Sequence, residues 1–188
     1  MTTPLSKPKR KDPTKRTRIP SLPPGKRSRE AHGLTAMAAV GRFALQVCNE
    51  CQKVQYPPRQ ICSNCLNDKL FWRDVNNGGK LLAETKLQHS NDTYFRDRIP
   101  WRLGIVIADA GPSIVAHLGE DCIRDQRVRM SLSIDRAGNA VITARPEKPT
   151  QLEEDDVQLR EMAFNPKDRR VLIVDGKTEL GLRIAENM

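Results

Sequence analysis

Between residues 80 and 146 apolar and polar positions alternate in short runs: "KLLAETKL" (80–87), "RLGIVIADA" (102–110), "SIVAHLG" (113–119), "QRVRMSLSI" (126–134) and "NAVITARP" (139–146). These runs are rich in Val, Ile, Leu and Thr, which suit a half-buried pleated surface, and they read as five strands. The breaks "DAGPS", "GEDC" and "DRAGN" carry the residues that turns select. Five short strands in a segment of this length predict a small antiparallel barrel of OB type.

Upstream, "REAHGLTAMAAV" (29–40) is made of helix formers, with Ser28 placed to cap the first turn. "RFALQVC" alternates and predicts a strand running into Cys48. Residues 149–169 are first acidic and then basic, contain Pro166, and read as a linker. In 170–188 an apolar run, Val171 to Val174, meets Asp175-Gly176 and a helix-like end, which predicts strand, turn and helix. The expected order is a basic tail (1–28), helix and cysteine-rich segment (29–75), barrel (76–148), linker (149–169) and a terminal strand–turn–helix (170–188).

Charge changes this picture at one end only. The net charge is +9 over 188 residues. Residues 1–30 hold ten Lys/Arg against Asp12 and Glu30, so eight of the nine net charges lie there and the remainder of the chain carries +1. Six of the thirteen prolines fall in the same stretch, and no aromatic does. That composition predicts a disordered, solvated tail. A nucleic-acid or nuclear-import patch is the alternative for "KPKRKDPTKRTR". Mean hydropathy is −0.59. The most apolar stretch near the tail, "LTAMAAVGRFALQV", is broken by Gly41 and Arg42, so neither a signal peptide nor a membrane span is expected. Five cysteines, an odd number without a secretion signal, point to a reducing compartment, and the expected location is the cytoplasm.

Four of those cysteines form two matched pairs, Cys48-x2-Cys51 and Cys62-x2-Cys65, with ten residues between the pairs. A tight C-x-x-C turn points both sulfurs one way, and two such knuckles facing each other present four thiolates in a tetrahedron. The spacing is that of a zinc ribbon. A rubredoxin-type iron centre uses the same four ligands, and spacing alone does not separate the two metals. A redox pair needs one C-x-x-C in a thioredoxin-like setting, and disulfides need an oxidising compartment. The assignment is therefore structural zinc on Cys48, Cys51, Cys62 and Cys65; with all four positions taken by protein, no substrate position remains. Cys122 reads as a free thiol without a base partner. His32 reads as a surface residue and His117, in an alternating strand, as packed or surface. No catalytic residue is assigned.

Three stretches together resemble a known family: "LQVCNECQKVQYPPRQICSNC", then "FWRDVNNGGKLLAETKL", then "IPWRLGIVIADAGPSIVAHLG". The pairing of two C-x2-C knuckles around Pro57-Pro58-Arg59, with Phe71-Trp72 and Gly78-Gly79 leading into the first barrel strand, is similar to the acyl-CoA-associated zinc-ribbon/OB-fold proteins, long catalogued as a domain of unknown function. The resemblance covers about residues 43 to 146. It implies a mainly β fold, with a rubredoxin-like ribbon followed by a five-stranded OB barrel. It also implies a non-catalytic accessory subunit that binds acyl-CoA and a thiolase-fold enzyme: a thiolase, a hydroxymethylglutaryl-CoA synthase or a steroid side-chain aldolase, in lipid or steroid metabolism. The C-terminal "VLIVDGKTELGLRIAENM" is similar to the opening strand, glycine turn and helix of a short-chain dehydrogenase, with Asp175 and Leu180 departing from that pattern.

A second class of function competes. Ribbons and OB barrels also occur in binders of single-stranded nucleic acid, which need exposed aromatics among basic residues. The loop "NDTYFRDRIPW" offers Tyr94, Phe95 and Trp101 beside Arg96, Arg98 and Arg102, diluted by Asp92 and Asp97. A mobile loop that contacts a partner or CoA and, more simply, plain packing of the same aromatics are the competing readings, and a nucleic-acid partner is not the expectation.

Overall fold

In the computed structural model, residues 22–151, 155–162 and 177–186 are described. The ribbon is a three-stranded antiparallel sheet in the order β2-β1-β3, built from β1 (Ala44–Cys48), β2 (Val54–Gln55) and β3 (Leu70–Asp74). The central strand β1 is buried at every position. Helix α1 (Ala31–Ala39) precedes it. Its first turn is held by Ala31 N–H donating to Ser28 Oγ at 3.4 Å, although Ser28 lies two residues outside the N-cap position, which Glu30 fills.

The barrel strands are β4 (Gly78–Leu87), β5 (Trp101–Ala108), β6 (Ser113–Leu118), β7 (Arg127–Ile134) and β8 (Ala140–Pro146). All five coincide with the predicted runs to within two residues. They close in the order β4-β5-β6-β8-β7, with β7 pairing back to β4. Only β6 and β8 run parallel, joined by two register pairs, His117 with Thr143 and Leu118 with Ala144. This is the OB-type order expected from the pattern. Gly104 is required inside it, because a Cβ there would come within 2.7 Å of Leu81 and 2.8 Å of Leu118.

Ribbon and barrel share one core. Leu34 and Ala38 of α1 and Leu45 of β1 are buried together with Leu81, Val106, Ile114, Leu118, Val128 and Met130 of the barrel. Val54, Tyr56 and Trp72 pack against the same cluster. The close approach of α1 to β3 depends on Gly33, where a Cβ would lie 2.5 Å from the Trp72 indole.

Two expectations change. Within the predicted linker, residues 157–162 form a helix, α3 (Val157–Met162), which follows the short α2 (Thr93–Arg96) in chain order. Leu159 and Met162 are buried, and Asp156 accepts Leu159 N–H at 2.9 Å and Glu120 N–H at 2.7 Å, pinning the helix start to the barrel. A two-turn helix with only two buried anchors is too short to show a period against the acidic run before it. The tail expectation falls outside the described residues for 1–21. Residues 22–28, grouped with it, lie against the fold: Pro23 is buried, and Arg27 pairs at 3.4 Å with Asp135, which is 1 % exposed. At the other end α4 (Glu179–Glu186) matches the predicted terminal helix, whereas the strand expected at 171–174 and the turn at Gly176 lie outside the described residues.

Candidate metal centre and partner face

Strand β1 ends at Cys48, and the tight turn into β2 brings Cys51 back beside it. The turn is closed by Gln52 N–H donating to Cys48 O and by Cys48 N–H donating to Lys53 O, each at 3.0 Å, with Gln52 in the left-handed region at φ 56°. The second knuckle repeats the device: Leu66 N–H donates to Cys62 O at 3.1 Å, and Leu66 has φ 60°. The knuckles face each other, with Cys48 Sγ 3.4 Å from Cys65 Sγ and Cys51 Sγ 3.5 Å from Cys62 Sγ. All four sulfurs lie within 4.8 Å of one another.

This donor set fits zinc. Four sulfurs around a Zn–S distance of about 2.3 Å stand about 3.8 Å apart in a tetrahedron, close to the observed spacing. The electrostatics agree. The Lys53 backbone N–H and the Asn64 side chain hold the Cys51 thiol down to about 6. The backbone N–H groups of Cys65 and Asn64 lower Cys62. Although the Asn67 backbone N–H lowers Cys65, the crowding sulfur of Cys48, burial, and the sulfurs of Cys51 and Cys62 push it up to about 12. Four such sulfurs become thiolates together only with a cation between them. Cys48 and Cys62 are buried, Cys51 is half-buried and Cys65 is exposed.

The aromatic loop is a packing device. Tyr94 is 1 % and Trp101 2 % exposed, and Phe95 packs edge-on against both, with ring centroids 5.2 Å from each. Helix α2 is capped by Asp92 accepting Tyr94 N–H at 2.8 Å, and the Tyr94 hydroxyl donates to Glu161 O of α3 at 2.8 Å. Arg98 lies over the Tyr94 ring, 4.1 Å from its centroid, and bonds Glu161 at 3.0 Å. Arg102 is directed at backbone carbonyls of the β6–β7 turn. Neither buried ring presents a face for a base.

Of the two readings of His117, packed or surface, the structure gives the packed one. Its Nδ1 accepts the Trp101 indole N–H at 2.8 Å, and burial lowers it to about 4. A folded-state value below the usual 6.5 means that the neutral ring stabilises the fold above pH 6.5 and that this stabilisation is lost as pH falls through 4. Wild type is therefore expected to lose stability across that window, by an amount on the order of a few kcal/mol. His117→Gln, whose amide oxygen also accepts from Trp101, is expected to lack that component in a pH series of denaturation midpoints. Cys122 is a buried thiol donating to Ala144 O at 3.3 Å, pushed up to about 11 by burial, as an inert core residue would be.

The sequence reading did not identify the outer face of β4, β5 and β6. Ile105 and Ile107 of β5, Val115 of β6 and Leu82 of β4 are each 40 % or more exposed. Ile105 is flanked across the strands by Ala83 and Val115, while Ile107, on the same face, has Lys80 and Ser113 beside it and Leu82 lies at the bulge of β4, so the apolar row centres on Ile105. Where the row reaches Trp101 and Leu103 it passes beneath α2 and α3. The signal was present in "RLGIVIADA", whose outward positions are as apolar as its inward ones. A cleft of about 780 Å³ lies beside this end, lined by Lys86, Arg98, Trp101, Glu120, Val157 and Gln158 among others. Among the described residues no helix is long and apolar enough to cross a membrane.

Comparison with known proteins bears on both parts of the molecule. Residues 35–70 match the family described as "ChsH2, rubredoxin-like zinc ribbon domain". No curated protein matches the chain. A solved structure entitled "Ltp2-ChsH2(DUF35) aldolase" superposes with a TM-score of 0.55 at 17 % identity, covering 64 % of this chain and 97 % of that one. At that identity the likeness is one of fold. Residues 35–70 are thus similar to a rubredoxin-like zinc ribbon domain, and in joining that ribbon to an OB-type barrel the chain has a fold like that of the ChsH2(DUF35)-containing structure.

Proposed function

We propose that the protein is a non-catalytic accessory subunit that docks onto a thiolase-fold enzyme through the outer face of β4, β5 and β6. Zinc held by Cys48, Cys51, Cys62 and Cys65 shapes the ribbon, and the barrel contributes to the passage for an acyl-CoA thioester. The observation carrying this reading is the group of exposed apolar side chains Leu82, Ile105, Ile107 and Val115 on the outer face of β4, β5 and β6, whereas the exposed positions of β7 are Arg127, Arg129 and Ser131. A row of branched aliphatic side chains on a rigid sheet is what a protein partner buries. The fold neighbour supports the choice of partner, since its title joins Ltp2 and ChsH2(DUF35) in an aldolase. The near-neutral charge of residues 31–188 favours a protein and thioester partner over a phosphate backbone.

Affinity capture from native extract, followed by size exclusion and mass spectrometry, tests it. A thiolase-fold enzyme at one-to-one stoichiometry is expected. The double substitution Ile105→Asp and Val115→Asp is expected to weaken that association at least a hundredfold while leaving the melting temperature within about 2 °C, because both side chains already face solvent. Retention of the enzyme by the double variant would place the contact elsewhere. Salt-sensitive co-purification of nucleic acid without an enzyme would overturn the accessory reading.

A further inference from the structure

We infer that Gln46 and Gln55 are positioning residues for the metal centre: a buried amide pair on the first hairpin that sets the place of the second cysteine knuckle. The inference uses the zinc assignment and concerns how the ribbon brings its two halves into register.

The need arises from the local chain path. Cys48 and Cys51 belong to the β1–β2 hairpin, whose register pairs Gln46 with Gln55 and Val47 with Val54. Cys62 and Cys65 belong to a segment, residues 56–69, that has no strand pairing with that hairpin. Its knuckle bonds, such as Leu66 N–H to Cys62 O and Cys62 N–H to Asn67 O, are internal. They fix its shape; the backbone ties it to the first knuckle only at its trailing end, where Asn49 N–H donates to Lys69 O at 3.0 Å and Leu70 pairs with Cys48, and leave its leading side to be held by side chains.

The two glutamines hold that leading side. They stand opposite each other across β1 and β2, at 8 % and 4 % exposure. Gln55 Oε1 accepts Ser63 N–H at 3.0 Å, and Gln55 Nε2 donates to Ile61 O at 3.4 Å and to Gln46 Oε1 at 3.2 Å. Gln46 Oε1 also accepts Arg59 N–H at 2.7 Å. The residues held, Ile61 and Ser63, are the two chain neighbours of Cys62. One side chain thus grips the backbone on both sides of a ligand, and the other grips it three residues upstream.

The chemistry specifies an amide at position 55. The side chain must donate in two directions and accept in a third, which an amide does and a carboxylate cannot. Glutamate at position 55 would face two acceptors, Gln46 Oε1 and Ile61 O. Leucine would fill the space and leave Ser63 N–H and Ile61 O without partners. Outer-shell contacts of this kind typically alter metal affinity 10- to 100-fold.

The test uses the full chain loaded with one equivalent of zinc, or of cobalt(II) as a spectroscopic probe. Zinc release to a chromogenic chelator is expected to be 10- to 100-fold faster in Gln55→Leu than in wild type. Gln55→Glu, which keeps only the Ser63 contact, should fall between them. The cobalt d–d bands of both variants should shift, reporting a distorted tetrahedron. Val54→Ala is the control, because it removes ribbon packing without touching the second knuckle. If Gln55→Leu does not fold, Gln55→Glu carries the comparison. The inference fails if the variant releases zinc within twofold of wild type, or no faster than Val54→Ala at equal loss of stability. It fails equally if the cobalt spectrum is unchanged. A cobalt spectrum without thiolate charge-transfer bands in wild type would overturn the zinc assignment itself.

Discussion

Chelation of the metal at neutral pH is expected to unfold residues 44–74 and to loosen the barrel with them. Short strands of two and five residues cannot hold the ribbon by themselves. Structural zinc contributes about 10–16 kcal/mol in zinc-finger peptides, which exceeds the whole stability of many domains. Here the loss should spread, because Leu45, Val54, Tyr56 and Trp72 pack on the core that the barrel also uses. Hydrogen exchange with and without chelator is the measurement. Amides of β1, β2 and β3 should lose protection entirely, and those of β7 and β8, against which α1 packs, should lose it in part. Cys62→Ser should reproduce the effect, since a buried hydroxyl is a poor replacement for a thiolate. Unchanged protection after the metal is shown to be absent would mean that the knuckles fold on backbone bonds alone.

The elements most legible in the sequence were those whose signal is local. A C-x2-C knuckle writes its chemistry into four positions, and the strands from 80 to 146 alternate because one face of each meets a closed core. What escaped depends on contacts between distant segments. Gln46 and Gln55 look like ordinary polar strand residues; only the register Gln46–Gln55 and the return of Ser63 make them a pair. Helix α3 is written in two buried residues and one capping Asp, too few to outweigh "EEDD". Tyr94, Phe95 and Trp101 were visible as a cluster, but composition does not say whether aromatics face water or one another. The structure answers with edge-to-face packing beneath α3. Residue Arg27 shows the same limit, since a positive charge in a basic run gives no hint that it pairs with a carboxylate 108 residues further along the chain.

Arg102→Ala is expected to destabilise the protein by about 3 kcal/mol, a drop of roughly 10 °C in melting temperature. A guanidinium beside a cleft invites assignment as a phosphate or CoA contact, and its bonds argue otherwise. Nη1 donates to Gly119 O at 2.9 Å and Glu120 O at 2.6 Å, and Nη2 donates to Cys122 O at 2.8 Å and to the Glu84 carboxylate. The side chain is 14 % exposed. It ties the turn between β6 and β7 to the β4–β5 pair, and its own backbone N–H and C=O are bonded to Gln158 of α3 at 2.6 and 2.7 Å. Truncation leaves three carbonyls and a carboxylate without their donor, and water replaces it only in part. Arg102→Lys should lose about half as much, because an ammonium keeps the charge but cannot span four acceptors in one plane. Denaturation of both variants, alongside their capacity to retain the partner enzyme, separates the roles. A structural Arg102 gives an Arg102→Lys variant that unfolds earlier yet holds the partner normally below its transition. Loss of partner or thioester binding at unchanged stability would instead make Arg102 a contact residue, and the carbonyl cluster around it incidental.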